Sequence, residues 1–316
     1  MRKWRMMAVP ATGGHLQVGV ADAAAGADVV LAVHGITATQ MAWRPVAEQL
    51  PEYRVLAPDL RGRGRSADLP GPYGMAQHAD DLARALDAAD VQRAVVVGHS
   101  MGGFAAMVFA HRHPDRLHRL LLVDGGIPLP VPVGVSTEQL TQLILGPALA
   151  RLAMTFPDRA AYRAFWQAHP ALADNWTADV EAYVDYDLVG TEPQLRSSVS
   201  LAAVRADSAD QIEGAALRDA AAAAAPNPLT LLRAPLGLQA EPPGLYPEAY
   251  LAAYSARLPN LSWQTVPETN HYTILLSENG ARAVAEAIRE PPPDPPRPRR
   301  RPALADHAKW AVKPRL

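Results

Sequence analysis

The sequence predicts an α/β protein: a doubly wound, mostly parallel sheet interrupted by one helical insertion. Three observations carry this. Short apolar runs end in polar or glycine-rich turns, helix-like stretches alternate with them, and one long stretch breaks the alternation. Strands lose their polar/apolar alternation when helices cover both faces of a parallel sheet. Regular strand–helix succession is the pattern such layering leaves in a sequence.

The runs "DVVLAVHG" (28–35), "YRVLAPD" (53–59), "RAVVVGHS" (93–100), "LHRLLLVDGG" (117–126) and "LTLLRA" (229–234) read as strands, and "SWQTVPE" (262–268) as a more alternating one. Helices are predicted over 41–50, 75–89, 101–113, 247–257 and 277–289. Within 75–89, Met75, Ala79, Leu82 and Leu86 recur at spacings of three and four and form one apolar stripe. Residues 128–226 contain no convincing strand, carry seven of the 19 aromatic side chains and end in "AALRDAAAAAAP". They are expected to form a helical cap inserted into a core made of 1–127 and 227–290. The tail 291–316 opens on "PPPDPPRPRRRP", which cannot build an apolar core and is expected to be extended.

Bulk composition narrows the function. Among 316 residues, 49% are hydrophobic and 20% charged, the balance of a folded globular chain. A formal net charge of −2 gives no global field toward nucleic acid or an anionic membrane. Arginine outnumbers lysine 27 to 3 and alanine is abundant, a bias of GC-rich coding, so no single arginine is read as a site. There is no cysteine, which excludes disulfides, thiolate catalysis and cysteine-type zinc sites. No stretch approaches the length of a membrane span or a signal-peptide core, so a cytoplasmic protein without metal or cofactor is expected. Its oligomeric state is left open.

One strand stops abruptly on a serine. "VVVGHSMGG" (95–103) contains Gly98-His99-Ser100-Met101-Gly102, a G-x-S-x-G pattern placed where strand gives way to helix. So tight a reversal strains the serine backbone and lifts its hydroxyl to the carboxyl edge of the sheet, and small flanking residues let strand and helix approach. The plain alternative is a glycine-rich connecting loop, but "AVVV" before it and "FAAMVFAHRH" after it favour the nucleophile corner.

In these residues the chain resembles the α/β-hydrolase superfamily. "VHGITATQMAW" (33–43) is similar to its His-Gly oxyanion loop, "DLRGRGRS" (59–66) to the loop after the next strand, and "NHYTIL" (270–275) to its late histidine loop. The resemblance covers residues 8–290 in the right order, with the insertion where caps usually sit. It implies Ser100 as nucleophile and His271 as general base, serine first and histidine last along the chain. It assigns the oxyanion to the backbone N–H groups of Ile36 and Met101, donors worth about 3 kcal/mol each. His34 and His99 flank this backbone and are expected to shape loops. In the Asp59–Ser66 loop, Asp59 is expected to bond nearby amides or an arginine.

The acid departs from the common pattern. Most members carry an Asp in the turn after the strand that here is "LTLLRA", but that turn reads "PLGLQAEPPGLYP" and offers only Glu241. Asp124, at the end of "RLLLVD", is the alternative, at a position some lipases and dehalogenases of the superfamily use. An Asp at a strand end also occurs with no catalytic duty, so both carboxylates, and a bare Ser-His dyad, remain open. The aromatic residues Phe156, Tyr162, Phe165, Trp166, Trp176, Tyr183 and Tyr186 are either cap core or the wall of a pocket for an apolar small-molecule substrate. The resulting expectation is a serine hydrolase acting on a small or medium apolar ester. The alternatives are a C–C bond hydrolase, a cofactor-free haloperoxidase or perhydrolase, and a ligand-binding protein without activity.

Overall fold

A computed structural model of the chain describes residues 2–130, 134, 136–223, 228–258 and 260–290. The proline-rich tail and what was expected of it lie outside these. In chain order the strands are β1 (Trp4–Ala11), β2 (Gly14–Ala21), β3 (Val29–Val33), β4 (Arg54–Pro58), β5 (Ala94–His99), β6 (Leu117–Val123), β7 (Leu188–Val189), β8 (Arg196–Ser197), β9 (Leu229–Arg233) and β10 (Leu261–Thr265). Eight of them make one sheet in the order β1-β2-β4-β3-β5-β6-β9-β10, while β7 and β8 form a separate ribbon. From β4 through β10 every neighbouring pair is parallel, and β1–β2 and β2–β4 are antiparallel.

Every strand predicted from residue 28 onward is present. No strand is predicted before it, yet β1 and β2 form a hairpin with Ala11 opposite Gly14. Its buried residues Val9, Leu16, Val18 and Val20 alternate with more exposed neighbours only in part, and Pro10 and the Gly13-Gly14 pair interrupt the pattern. A half-buried edge ribbon therefore lacks the continuous apolar run that marks the inner strands.

The helices are α1 (Arg44–Glu48), α2 (Met75–Ala88), α3 (Met101–Arg112), α4 (Thr137–Leu152), α5 (Arg159–Gln167), α6 (Ala178–Asp187), α7 (Leu201–Glu213), α8 (Ala215–Ala223), α9 (Glu248–Arg257), α10 (Thr273–Leu276) and α11 (Glu278–Arg289). They cover both faces of the sheet. Val96 and Leu122 pack with α2, α3, α8 and α9 on one side, and Val95, Val97 and Leu121 with α1, α10 and α11 on the other. Successive residues of β5 thus enter opposite cores, which is why that strand reads as an unbroken valine run.

Helices α4–α8 and the β7–β8 ribbon fill the long connection from β6 to β9. Residues Ala215–Ala223 of the alanine-rich stretch form α8, which lies against α2 and α3, so this part of the insertion rests on the helices that flank the sheet. Its middle is fastened by a buried carboxylate. Asp187 accepts from Arg151 Nη1 at 2.7 Å and from the hydroxyls of Tyr162, Ser197 and Ser198. Phe156, Tyr162, Phe165 and Trp166 pack edge to face beside it. Among the described residues no helix is long and apolar enough to cross a membrane.

Candidate active site

The serine corner forms where β5 meets α3. Ser100 sits at φ 54° and ψ −125°, a region a side chain rarely occupies, between His99 at the strand end and Met101 at the helix start. Main chain jams against main chain around it. A Cβ on Gly98 would lie 2.2 Å from the Gly102 carbonyl oxygen, and one on Gly102 would lie 2.2 Å from that of Val33. The His-Gly loop after β3 closes over the hydroxyl: a Cβ on Gly35 would stand 3.5 Å from Ser100 Oγ.

His271 and Asp124 converge on the same place from the ends of other strands. His271 Nδ1–H donates to Asp124 Oδ2 at 2.7 Å, both side chains being buried. That bond leaves His271 Nε2 as the nitrogen able to accept a proton. The second carboxylate oxygen of Asp124 receives the Ala234 N–H at 3.2 Å, and the residue itself has φ 45° at the strand exit. Glu241 does not meet the histidine. It is exposed, and its carboxylate accepts the Gln239 N–H at 2.7 Å within its own turn. Among the described residues, the carboxylate on His271 is that of Asp124.

His34 and His99 are neutral supports. His34 Nε2 accepts the Leu60 N–H at 2.9 Å and its Nδ1–H donates to the Gly35 carbonyl, so it ties the loop after β3 to the loop after β4. Burial pulls its pKa down to about 3. His99 Nε2–H donates to the His271 carbonyl at 2.9 Å and its ring lies 4.6 Å from the His271 ring, with burial likewise holding it well below the ordinary histidine value. Asp59 takes N–H bonds from Gln40 and Arg65 and the hydroxyl of Tyr186 on α6. Burial pushes its carboxyl up to about 6 in spite of these three donors.

Ser100, His271 and Asp124 line one narrow cleft, with an internal volume of about 50 Å³, between the sheet edge and the insertion. Its walls are mainly apolar, with Phe104, Leu129, Leu145, Leu238 and Leu245 among them, and Tyr183 is the predicted insertion aromatic that reaches it. Phe165 and Trp166 line a smaller neighbouring cavity, while Tyr186 points to Asp59. Thr37 and Gln211, which sequence reasoning did not single out, also face the cleft. So does Ile36, and Met101 follows the serine at the helix start. No group of three or more potential metal ligands occurs among the described residues.

The comparisons agree with this fold. Residues 28–197, just over half of the chain, match the family model for the alpha/beta hydrolase fold, and the chain belongs to that family. It is similar to the putative carbamate hydrolase RutD of Caulobacter segnis, 40% identical over 104 residues covering 32% of this chain and 39% of the relative. It also resembles the lipase LipV of Mycobacterium tuberculosis, 40% identical over 100 residues, 32% of this chain and 38% of that one. The chain thus spans about two fifths of the length of the curated relatives it matches. The thioesterase domain from the curacin biosynthetic pathway superposes with a TM-score of 0.70 over 90% of this chain and 99% of its own, at 22% identity, a likeness of fold.

Proposed function

We propose that the protein is a serine hydrolase that cleaves a small or medium apolar ester through an acyl-enzyme. The observation that carries this reading is the meeting of the strained Ser100 corner with the His271–Asp124 pair in one apolar cleft. Ser100 Oγ attacks the ester carbonyl as His271 Nε2 takes its proton. The carbonyl oxygen, now an anion, is held by the N–H groups of Ile36 and Met101 at the loop and helix start. The C–O bond of the ester then breaks and the alcohol leaves with the proton from His271. Water repeats the sequence on the acyl-enzyme: His271 deprotonates it, the acyl–Ser100 bond breaks, and the acid departs while Ser100 regains its proton. Asp124 holds the ring in the required tautomer and stabilises its cation throughout.

The insertion over 128–226 acts as the cap in this reading, because Tyr183, Leu145 and Gln211 bring it to the cleft. Relatives named as a lipase and a carbamate hydrolase support hydrolysis at a carbonyl; the apolar walls favour the ester. A fluorophosphonate probe should label the wild-type protein at Ser100, and Ser100→Ala should abolish both labelling and hydrolysis of short nitrophenyl esters. A wild-type protein that is neither labelled nor active on such esters is a ligand-binding protein on this scaffold. Faster turnover of a vinylogous diketone than of any ester would give the site to C–C cleavage.

A further inference from the structure

Arg63 lies wholly buried behind the serine corner, in the loop after β4. Its guanidinium is distributed among unrelated parts of the chain. Nε–H donates to the Ile36 carbonyl at 3.0 Å, Nη1–H to the Arg61 carbonyl at 2.8 Å and also to Asp207 Oδ2, and Nη2 lies 3.8 Å from the sulfur of Met101. One side chain therefore touches both residues whose amides hold the oxyanion in the proposed reaction. Its counter-ion, Asp207, belongs to α7 and is itself fixed by the Gly74 N–H at 2.7 Å and His78 Nε2–H at 3.0 Å. One turn further along α7, Gln211 faces the cleft.

We propose that Arg63 is a positioning residue that holds the oxyanion loop in its working geometry and ties that loop to α7 of the insertion. The proposal rests on the serine-hydrolase reading above. The rigid, fully charged fork pins the carbonyl of the Ile36–Thr37 peptide. The Ile36 N–H belongs to the preceding peptide, one Cα away, so holding that carbonyl limits rotation at Ile36 and steadies the loop from which its N–H points when the anion forms. A loose loop would still bind ester, because the apolar walls remain, but would lose part of its hold on the tetrahedral state. The fork also makes the loop depend on α7: shifting that helix moves Asp207 and with it the guanidinium.

The test is steady-state hydrolysis of a short nitrophenyl ester by wild type, Arg63→Met and Arg63→Lys. It is paired with the affinity of a trifluoromethyl ketone, which forms a tetrahedral adduct on serine, and of the matching methyl ketone. Arg63→Met should lower kcat about 100-fold, the scale of losing one oxyanion donor, with KM within about threefold. Affinity for the trifluoromethyl ketone should fall in step while that for the methyl ketone holds. Arg63→Lys keeps the charge beside Asp207 but a single nitrogen cannot serve Ile36, Arg61 and Asp207 together, so it should fall between; it carries the test if Arg63→Met does not fold. Unchanged kcat, or kcat and KM shifting together with both ketones weakened alike, overturns the positioning role. Wild-type turnover that Ser100→Ala abolishes establishes the reaction separately, so these failures would fall on Arg63 alone; an inert wild type overturns both.

Discussion

Around Ser100 the chain is held main chain to main chain; in the insertion it is held side chain to side chain. Gly98, Gly102 and Gly125 each stand where an added Cβ would come within 2.2 Å of a carbonyl oxygen on another segment. Across the cleft, Arg151, Tyr162, Ser197 and Ser198 all gather on one carboxylate, that of Asp187. The first kind of contact fixes a hydroxyl to a fraction of an ångström and tolerates almost no substitution. The second fixes a shape whose lining can vary as long as the polar hub stays paired. An enzyme that keeps its chemistry and changes its substrate needs both, one on each side of the cleft.

Carboxylates on the two sides should therefore fail differently. Asp124→Asn removes the partner that sets the His271 tautomer and should lower kcat by about 10⁴-fold with little change in melting temperature. Glu241→Gln, exposed in its turn, should alter turnover no more than about twofold, the ~0.5 kcal/mol of a surface change. The opposite ranking in nitrophenyl ester assays would move the acid to the turn after β9. Asp187→Asn should do the reverse of Asp124→Asn. It leaves Arg151, 2% exposed, without its counter-charge and should cost about 3–5 kcal/mol in urea unfolding. Turnover below the melting range should stay near wild type, and a collapse of kcat in the folded variant would show that the hub serves chemistry directly.

The same substitution made on each side sharpens the contrast. Gly102→Ala forces a methyl against the Val33 carbonyl, where only backbone can yield, and should cost about 3 kcal/mol. Gly146→Ala, inside α4, would meet the flexible end of Gln142 at 2.7 Å, and its gain in helix propensity is offset by the Pro147 ring that follows, so it should change stability by no more than about 1 kcal/mol. Equal losses at both positions would show that the insertion is packed as tightly as the corner.

This division also explains what could be read from the sequence. Backbone-limited geometry demands glycine at fixed places, so Gly98-His99-Ser100-Met101-Gly102 after a valine run located the corner without any knowledge of its surroundings. His271 and Asp124 were legible as residues at strand exits, though only contact separates Asp124 from Glu241. Arg63 was not legible. It is one of 27 arginines, and the partner that gives it meaning lies 144 residues away. Neither were Thr37 and Gln211, because which residues of a loop or helix face a cleft depends on how the insertion docks. The hairpin β1–β2 escaped because most of β1 is exposed or half-buried and a proline and two glycines break its pattern.

The two regions meet at Asp59, where Tyr186 of α6 donates its hydroxyl to a carboxylate at the end of β4, at 2.6 Å. Burial holds this carboxyl up at about 6, against 3.8 for a free one. Between those values the folded protein keeps a proton that the unfolded chain has released, so Asp59 lowers stability as pH rises from about 4 to 6 and has no further effect above. The tyrosine bond opposes that loss, because it favours the ionised form and is at full strength only above about 6. Tyr186→Phe should consequently lower stability by about 1.5 kcal/mol at pH 8. The difference from wild type should shrink as pH falls through 6, and should be small at pH 4. A gap of one size at pH 8 and pH 4 in thermal melts would mean that Tyr186 joins the two regions by packing alone, with its hydroxyl contributing nothing to the junction.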